Sequence, residues 1–254
     1  MILVIRYAAL LLMLLTMLGG CATGRRGGDQ KPNPAAYHYQ MGLSFLGERN
    51  YTSALVELTE AEKLDPDNPE LLYNLALAYI GKKRYALAEP RLERAIALKP
   101  AYSIARNDLG VVYLELKRWD SAIQQFKIVK DDIFYENSES ATLNLGLAYL
   151  GKGDFPKAME EIRVVIGQNP RNPVARLLLG RVWFAMDKTE QAIAEYRKAI
   201  EIFKDFGDAY YHLGLAQMKL QNMDAAKAAF RDVVRIKPDS ENGRSATGYL
   251  ELLK

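Results

Sequence analysis

The sequence predicts an all-α protein, a solenoid of six helix pairs closed by one last helix. Three observations predict it. A small residue recurs at Gly42, Ala76, Gly110, Gly146, Gly180 and Gly214, at intervals of 34, 34, 36, 34 and 34 residues. Apolar residues flank that column at helical spacing, so each repeat carries two apolar stripes. Proline closes four repeats, at Pro66, Pro100, Pro170 and Pro238, where a second helix has to stop. A fixed period of this length is the mark of stacked supersecondary units.

In the first helix of each pair a large apolar residue precedes the small one: Met41, Leu75, Leu109, Leu145, Leu179 and Leu213. An aromatic follows three residues later at Phe45, Tyr79, Tyr113, Tyr149 and Trp183, with Gln217 the exception. These positions share one helix face. Glycine inside a helix costs about 1 kcal/mol relative to alanine, so its recurrence argues for close helix contact. Gly47, Gly81 and Gly151 then suit helix C-termini. Tyr51, Tyr85, Trp119 and Phe155 open second helices. These carry Ala54, Ala88, Ala122, Ala158, Ala192 and Ala226, each followed four residues on by a bulky Leu58, Leu92, Phe126, Ile162, Tyr196 or Phe230. The third repeat holds two extra residues near Asn137, and Phe134 stands where proline is usual. A longer loop over 130–139, with a local distortion or a hinge, is expected there. Ala246, Tyr249, Leu250 and Leu253 make residues 241–254 a capping helix.

The N-terminus reads differently. Residues 7–18 are apolar except for Thr16, follow Arg6, and end in Gly19-Gly20-Cys21. This is the pattern of a secretory signal, short for a membrane span. Leu18-Gly19-Gly20-Cys21 resembles the lipobox of bacterial lipoproteins. The resemblance implies removal of residues 1–20, acyl chains on Cys21, and lasting membrane attachment. Ala22 after the cysteine then implies the outer membrane. Residues 21–34 are glycine-rich, polar and proline-containing, a lipidated tether of roughly 20 Å mean reach.

The repeat columns resemble the tetratricopeptide repeat over residues 35–240, as 35–68, 69–102, 103–136, 139–172, 173–206 and 207–240. The resemblance implies a right-handed superhelix whose first helices line a concave groove that binds a protein partner. The groove-facing positions would be Tyr39, Leu43, Leu46, Tyr73, Leu77, Ile80, Asn107, Val111, Leu114, Leu143, Leu147, Leu150, Leu177, Arg181, Phe184, Tyr211, Leu215 and Met218. They are mostly apolar, so an amphipathic helix or extended segment is the expected occupant. Tyr39, Tyr73 and Tyr211 suit a wet rim.

No catalytic constellation is legible. His38 and His212 lie in different repeats, away from any metal-ligand spacing. The acidic pairs Asp131-Asp132 and Glu160-Glu161 read as solvated faces. A net charge of +3 is too small for a nucleic-acid footprint, and the single cysteine excludes an internal disulfide. No enzyme, metal or cofactor is expected. The layout of lipidated signal, tether and six repeats resembles the PilF/PilW/Tgl pilotin family of type IV pilus lipoproteins. That implies an outer-membrane lipoprotein on the periplasmic face that binds a secretin subunit and promotes secretin localisation and multimerisation. Alternatives of the same layout are an adaptor for periplasmic envelope enzymes and a part of a polysaccharide or protein export complex.

Overall fold

The computed structural model describes residues 33–253. The signal, Cys21 and nearly all of the tether lie outside the described residues. Among the described residues thirteen helices run in chain order: α1 (Pro34–Gly47), α2 (Tyr51–Leu64), α3 (Pro69–Gly81), α4 (Tyr85–Leu98), α5 (Ser103–Glu115), α6 (Trp119–Lys130), α7 (Ser138–Lys152), α8 (Phe155–Gln168), α9 (Pro173–Ala185), α10 (Thr189–Ile202), α11 (Gly207–Lys219), α12 (Met223–Ile236) and α13 (Glu241–Leu252). They form six pairs and a final helix in an all-α repeat solenoid.

Local chemistry sets the starts. Asn33, Asn68 and Asn172 cap α1, α3 and α9, each accepting a backbone N–H two or three residues on, and each is followed by proline. Asn50, Asp154 and Ser240 cap α2, α8 and α13 in the same way. The turns inside the pairs reach the left-handed region through Arg49, Lys83, Lys117, Asp187, Gln221 and Gly153. Only the last is glycine. Gly47 and Gly81 are the last residues of α1 and α3, and Gly151 the last but one of α7, at the expected helix ends. Gly81 and Gly151 also clear space for a neighbouring repeat. A methyl on Gly151 would meet the Trp119 ring at 2.7 Å, and one on Gly81 would collide with Tyr51. A left-handed L-residue costs about 1–2 kcal/mol. Lys117→Gly is therefore expected to raise stability by up to about 1 kcal/mol, read as a shift of the urea midpoint at unchanged slope.

Packing within the pairs follows the small column. Each glycine of that column seats the bulky residue 16 positions later: Gly42 under Leu58, Gly110 under Phe126, Gly146 under Ile162, Gly180 under Tyr196 and Gly214 under Phe230. All five bulky side chains are fully buried. The largest core cluster runs unbroken from Ala76 to Val182, so it crosses the two-residue insertion. The linker between α6 and α7 is tied down by Asp132, which accepts from the Ser103 hydroxyl and from the Phe134 N–H (3.0 Å). Gln217, the odd member of the aromatic column, is buried, and its oxygen accepts from the Asn222 side chain at 3.0 Å.

Ion pairs stitch neighbouring repeats at intervals near the period, as in Arg91–Glu62 (3.3 Å), Arg118–Glu89 (2.5 Å) and Lys130–Glu161 (2.6 Å). Several lie on the surface, where such a pair contributes about 0–1 kcal/mol. Buried apolar area carries the stacking.

Candidate functional site

The first helices are the inner layer. α5, α7 and α9 each approach the following first helix directly, as α1 does α3, and α11 approaches the capping helix α13. The expected groove residues lie along this layer, and most are half-buried, in contact with the core below and solvent above. They gather into sections. Leu43, Leu46, Leu77 and Ile80, with Tyr51 and Asn74, line a cavity of about 530 Å³ between α1 and α3. Val111, Leu114 and Leu147, with Trp119 and Asn144, line one of about 340 Å³ between α5 and α7. Arg181 and Phe184 follow on α9.

Some expected residues behave differently. Leu143 is buried in the main core, at 6% exposure, and Leu177 at 7% joins the next cluster. Both sit early on helices flanked by first helices on each side, which close over them. Tyr211, Leu215 and Met218 pack against the α12–α13 cluster, with the Tyr211 ring 6.5 Å from that of Tyr249. The capping helix therefore covers the groove's C-terminal end.

The phenols at the rim are not free. Asn74 donates to the Tyr39 hydroxyl at 3.0 Å, and the Tyr73 hydroxyl donates to Asp108 at 2.9 Å. Each bond joins one repeat to the next, so Tyr39 and Tyr73 staple the stack as well as line the groove. Asn107 turns its amide to Asp108 at 3.2 Å, and its own oxygen is buried without a partner. Burial pushes the Asp108 carboxyl above its usual range, against the two donors that favour its charge. Burial and the Asp108 charge push the Tyr73 phenol up as well. Tyr73→Phe leaves Asp108 one donor short. It is expected to cost about 1–3 kcal/mol, measured by urea unfolding.

The histidines take structural places. His38 pairs with Glu57 at 2.7 Å. His212 stacks on Tyr196, with ring centroids 5.8 Å apart. Among the described residues no group of three or more His, Cys, Asp or Glu could hold a metal ion, and no helix is long and apolar enough to cross a membrane.

Family models described as "TPR repeat" match residues 50–83 and 180–221, and models described as "Tetratricopeptide repeat" match 73–133 and 207–240. Together they span more than half of the chain. The DnaJ homolog subfamily C member 3 of Bos taurus is 26% identical over 132 residues, 49% of this chain and 26% of that protein. The chain thus spans about a quarter of that relative's length. Two solved structures share the fold at 20% identity. PilF of Pseudomonas aeruginosa has a TM-score of 0.62 over 85% of this chain and 97% of its own. PilW, a type IV pilus biogenesis factor, has a TM-score of 0.70 over 84% and 98%.

Proposed function

The chain belongs to the tetratricopeptide repeat family, and from that premise we propose that it is a lipid-anchored scaffold of type IV pilus biogenesis. In this reading acyl chains on Cys21 hold it to the periplasmic face of the outer membrane. The apolar inner layer takes a segment of a secretin subunit, shields it, and delivers it for multimer assembly.

The observation that carries the reading is the extent of the likeness to PilF and PilW. Nearly all of each of those folds is matched, and they match most of this chain. A repeat protein can resemble another through two or three shared repeats; here the whole stack corresponds. The two open apolar cavities between first helices support it further, since a contiguous exposed apolar surface marks a partner site. The signal, the lipobox-like Leu18–Cys21 stretch and the tether supply the address.

Deleting the gene is expected to abolish heat-resistant secretin multimers on a denaturing gel, together with surface pili. Normal multimers and normal pili in the deletion strain overturn the reading. Cys21→Ser is expected to give a folded, soluble protein that leaves the membrane fraction and restores few multimers. Unchanged membrane fractionation of that variant refutes the anchor.

A further inference from the structure

The residue one position after the small column is the centre of the inner layer in every repeat. It is Leu43, Leu77, Val111, Leu147, Arg181 and Leu215. Five are aliphatic, and the fifth repeat alone places a charge there. Arg181 is half-buried, and burial works against its ionised form. A cation in that setting is ordinarily paired. Arg176, five residues earlier on the same helix, is paired: its guanidinium meets Glu195 at 3.1 Å. Among the described residues Arg181 makes no side-chain hydrogen bond and has no carboxylate within ion-pair distance. The Tyr196 phenol and, more weakly, the Asp208 carboxylate of α11 favour its charge, and one Asp208 oxygen accepts from the Asn242 side chain at 2.8 Å. The neighbouring cation Lys219 lies over the Phe184 ring and is paired with Asp187. Arg181 is thus a charge without a direct ion-pair partner in an aliphatic row, on the face already read as the docking face.

We propose that Arg181 takes the side-chain carboxylate of one Asp or Glu within an otherwise apolar partner segment lying along the first helices, and so fixes the register of that segment. The proposal rests on the groove reading above and adds to it the chemistry of the occupant. Apolar contact alone discriminates poorly between neighbouring registers, because sliding a segment exchanges one aliphatic contact for another. A single charge-assisted bond at a half-buried point breaks that degeneracy. The guanidinium's planar fork suits a carboxylate bidentately.

The test is selection from a displayed random-peptide library whose members are fused at their C-termini, so that no free terminal carboxylate competes. The purified full chain is the bait, as wild type, Arg181→Gln and Arg181→Glu. Wild type is expected to enrich apolar peptides with one recurrent Asp or Glu at a fixed place among the apolar residues. Changing that acid to its amide in the synthesised consensus peptide is expected to weaken binding about tenfold to a hundredfold. Arg181→Gln should weaken the acidic peptide by a similar factor and be indifferent to the amide change. Arg181→Glu should select Lys or Arg at the same place. Urea unfolding of each variant controls for folding, and Arg181→Lys keeps the charge and is expected to bind with an intermediate loss. Apolar peptides without a recurrent acid, or an acid preference unmoved by Arg181→Gln, overturn the register proposal and leave the groove reading standing. If no apolar peptides are enriched, the groove reading falls and the proposal with it.

Discussion

Alanine at Gly110 is expected to destabilise the solenoid by about 1–3 kcal/mol, although alanine is the better helix former. Its methyl would lie 2.5 Å from Cε1 of Phe126, a ring with no solvent exposure. Interiors are packed to crystal density, so neither helix can give way without disturbing its neighbours. The gain in helix propensity, about 1 kcal/mol, offsets only part of this. The second repeat shows how the clash is relieved. It carries Ala76 and Leu92 at the corresponding positions, both fully buried. Gly110→Ala combined with Phe126→Leu should therefore be more stable than the sum of the single changes allows. Phe126→Leu alone leaves a void above the glycine and costs about 1 kcal/mol. Urea unfolding of the wild type, both single variants and the pair gives the coupling energy, expected above about 1 kcal/mol. A pair whose loss equals the sum of its parts rules out the seat. At this chain size each kcal/mol corresponds to about 2–4 °C in melting temperature.

Much of the architecture was legible because each repeat states it again. One helical glycine is ambiguous. Five at a fixed period, each followed 16 residues later by a large apolar residue, describe a contact. The capping helix was legible for a similar reason: an open stack end needs a cover, and Ala246, Tyr249 and Leu250 supply one. Contacts between repeats were not legible. That Gly81 clears space for Tyr51, or that Tyr73 reaches Asp108, depends on how one pair sits on the next, and no spacing within a repeat encodes it. Left-handed turns at Arg49, Lys83 and Lys117 were hidden because a cost of about 1 kcal/mol can be borne by any residue in a well-packed frame. For the groove, a helical stripe says which residues face inward but not whether neighbours close over them. Leu143 and Leu147 lie on the same stripe of α7, and only Leu147 reaches a cavity.

Acidification from pH 7 to 5 is expected to cost about 2 kcal/mol of stability through His212 alone. Its ring stacks on Tyr196 and meets Tyr211 edge-on at 5.7 Å. Burial, and then the charge of Arg181, push its pKa down to about 4, with Asp208 working weakly the other way. The folded chain therefore keeps His212 neutral well below pH 6.5, where the unfolded chain takes up a proton. The stabilising contribution is complete above the unfolded value of 6.5 and is lost as pH falls from there towards 4. The exposed carboxylates held low by partners, such as Glu70 beside Lys99 and Asp187 beside Lys219, act only below about pH 4.5 and leave this window clear. Urea unfolding at pH 7 and pH 5 measures the loss in the wild type, and His212→Phe is expected to flatten it while keeping the stack on Tyr196. Arg181→Gln should shrink it in part, since the one charge opposing protonation is gone while the burial remains. Equal losses in wild type and His212→Phe would place the acid sensitivity elsewhere in the chain. The same experiment bears on the groove. A carboxylate bound at Arg181, as proposed above, would screen its charge from His212 and raise that histidine's pKa, and partner binding would then be thermodynamically linked to proton uptake.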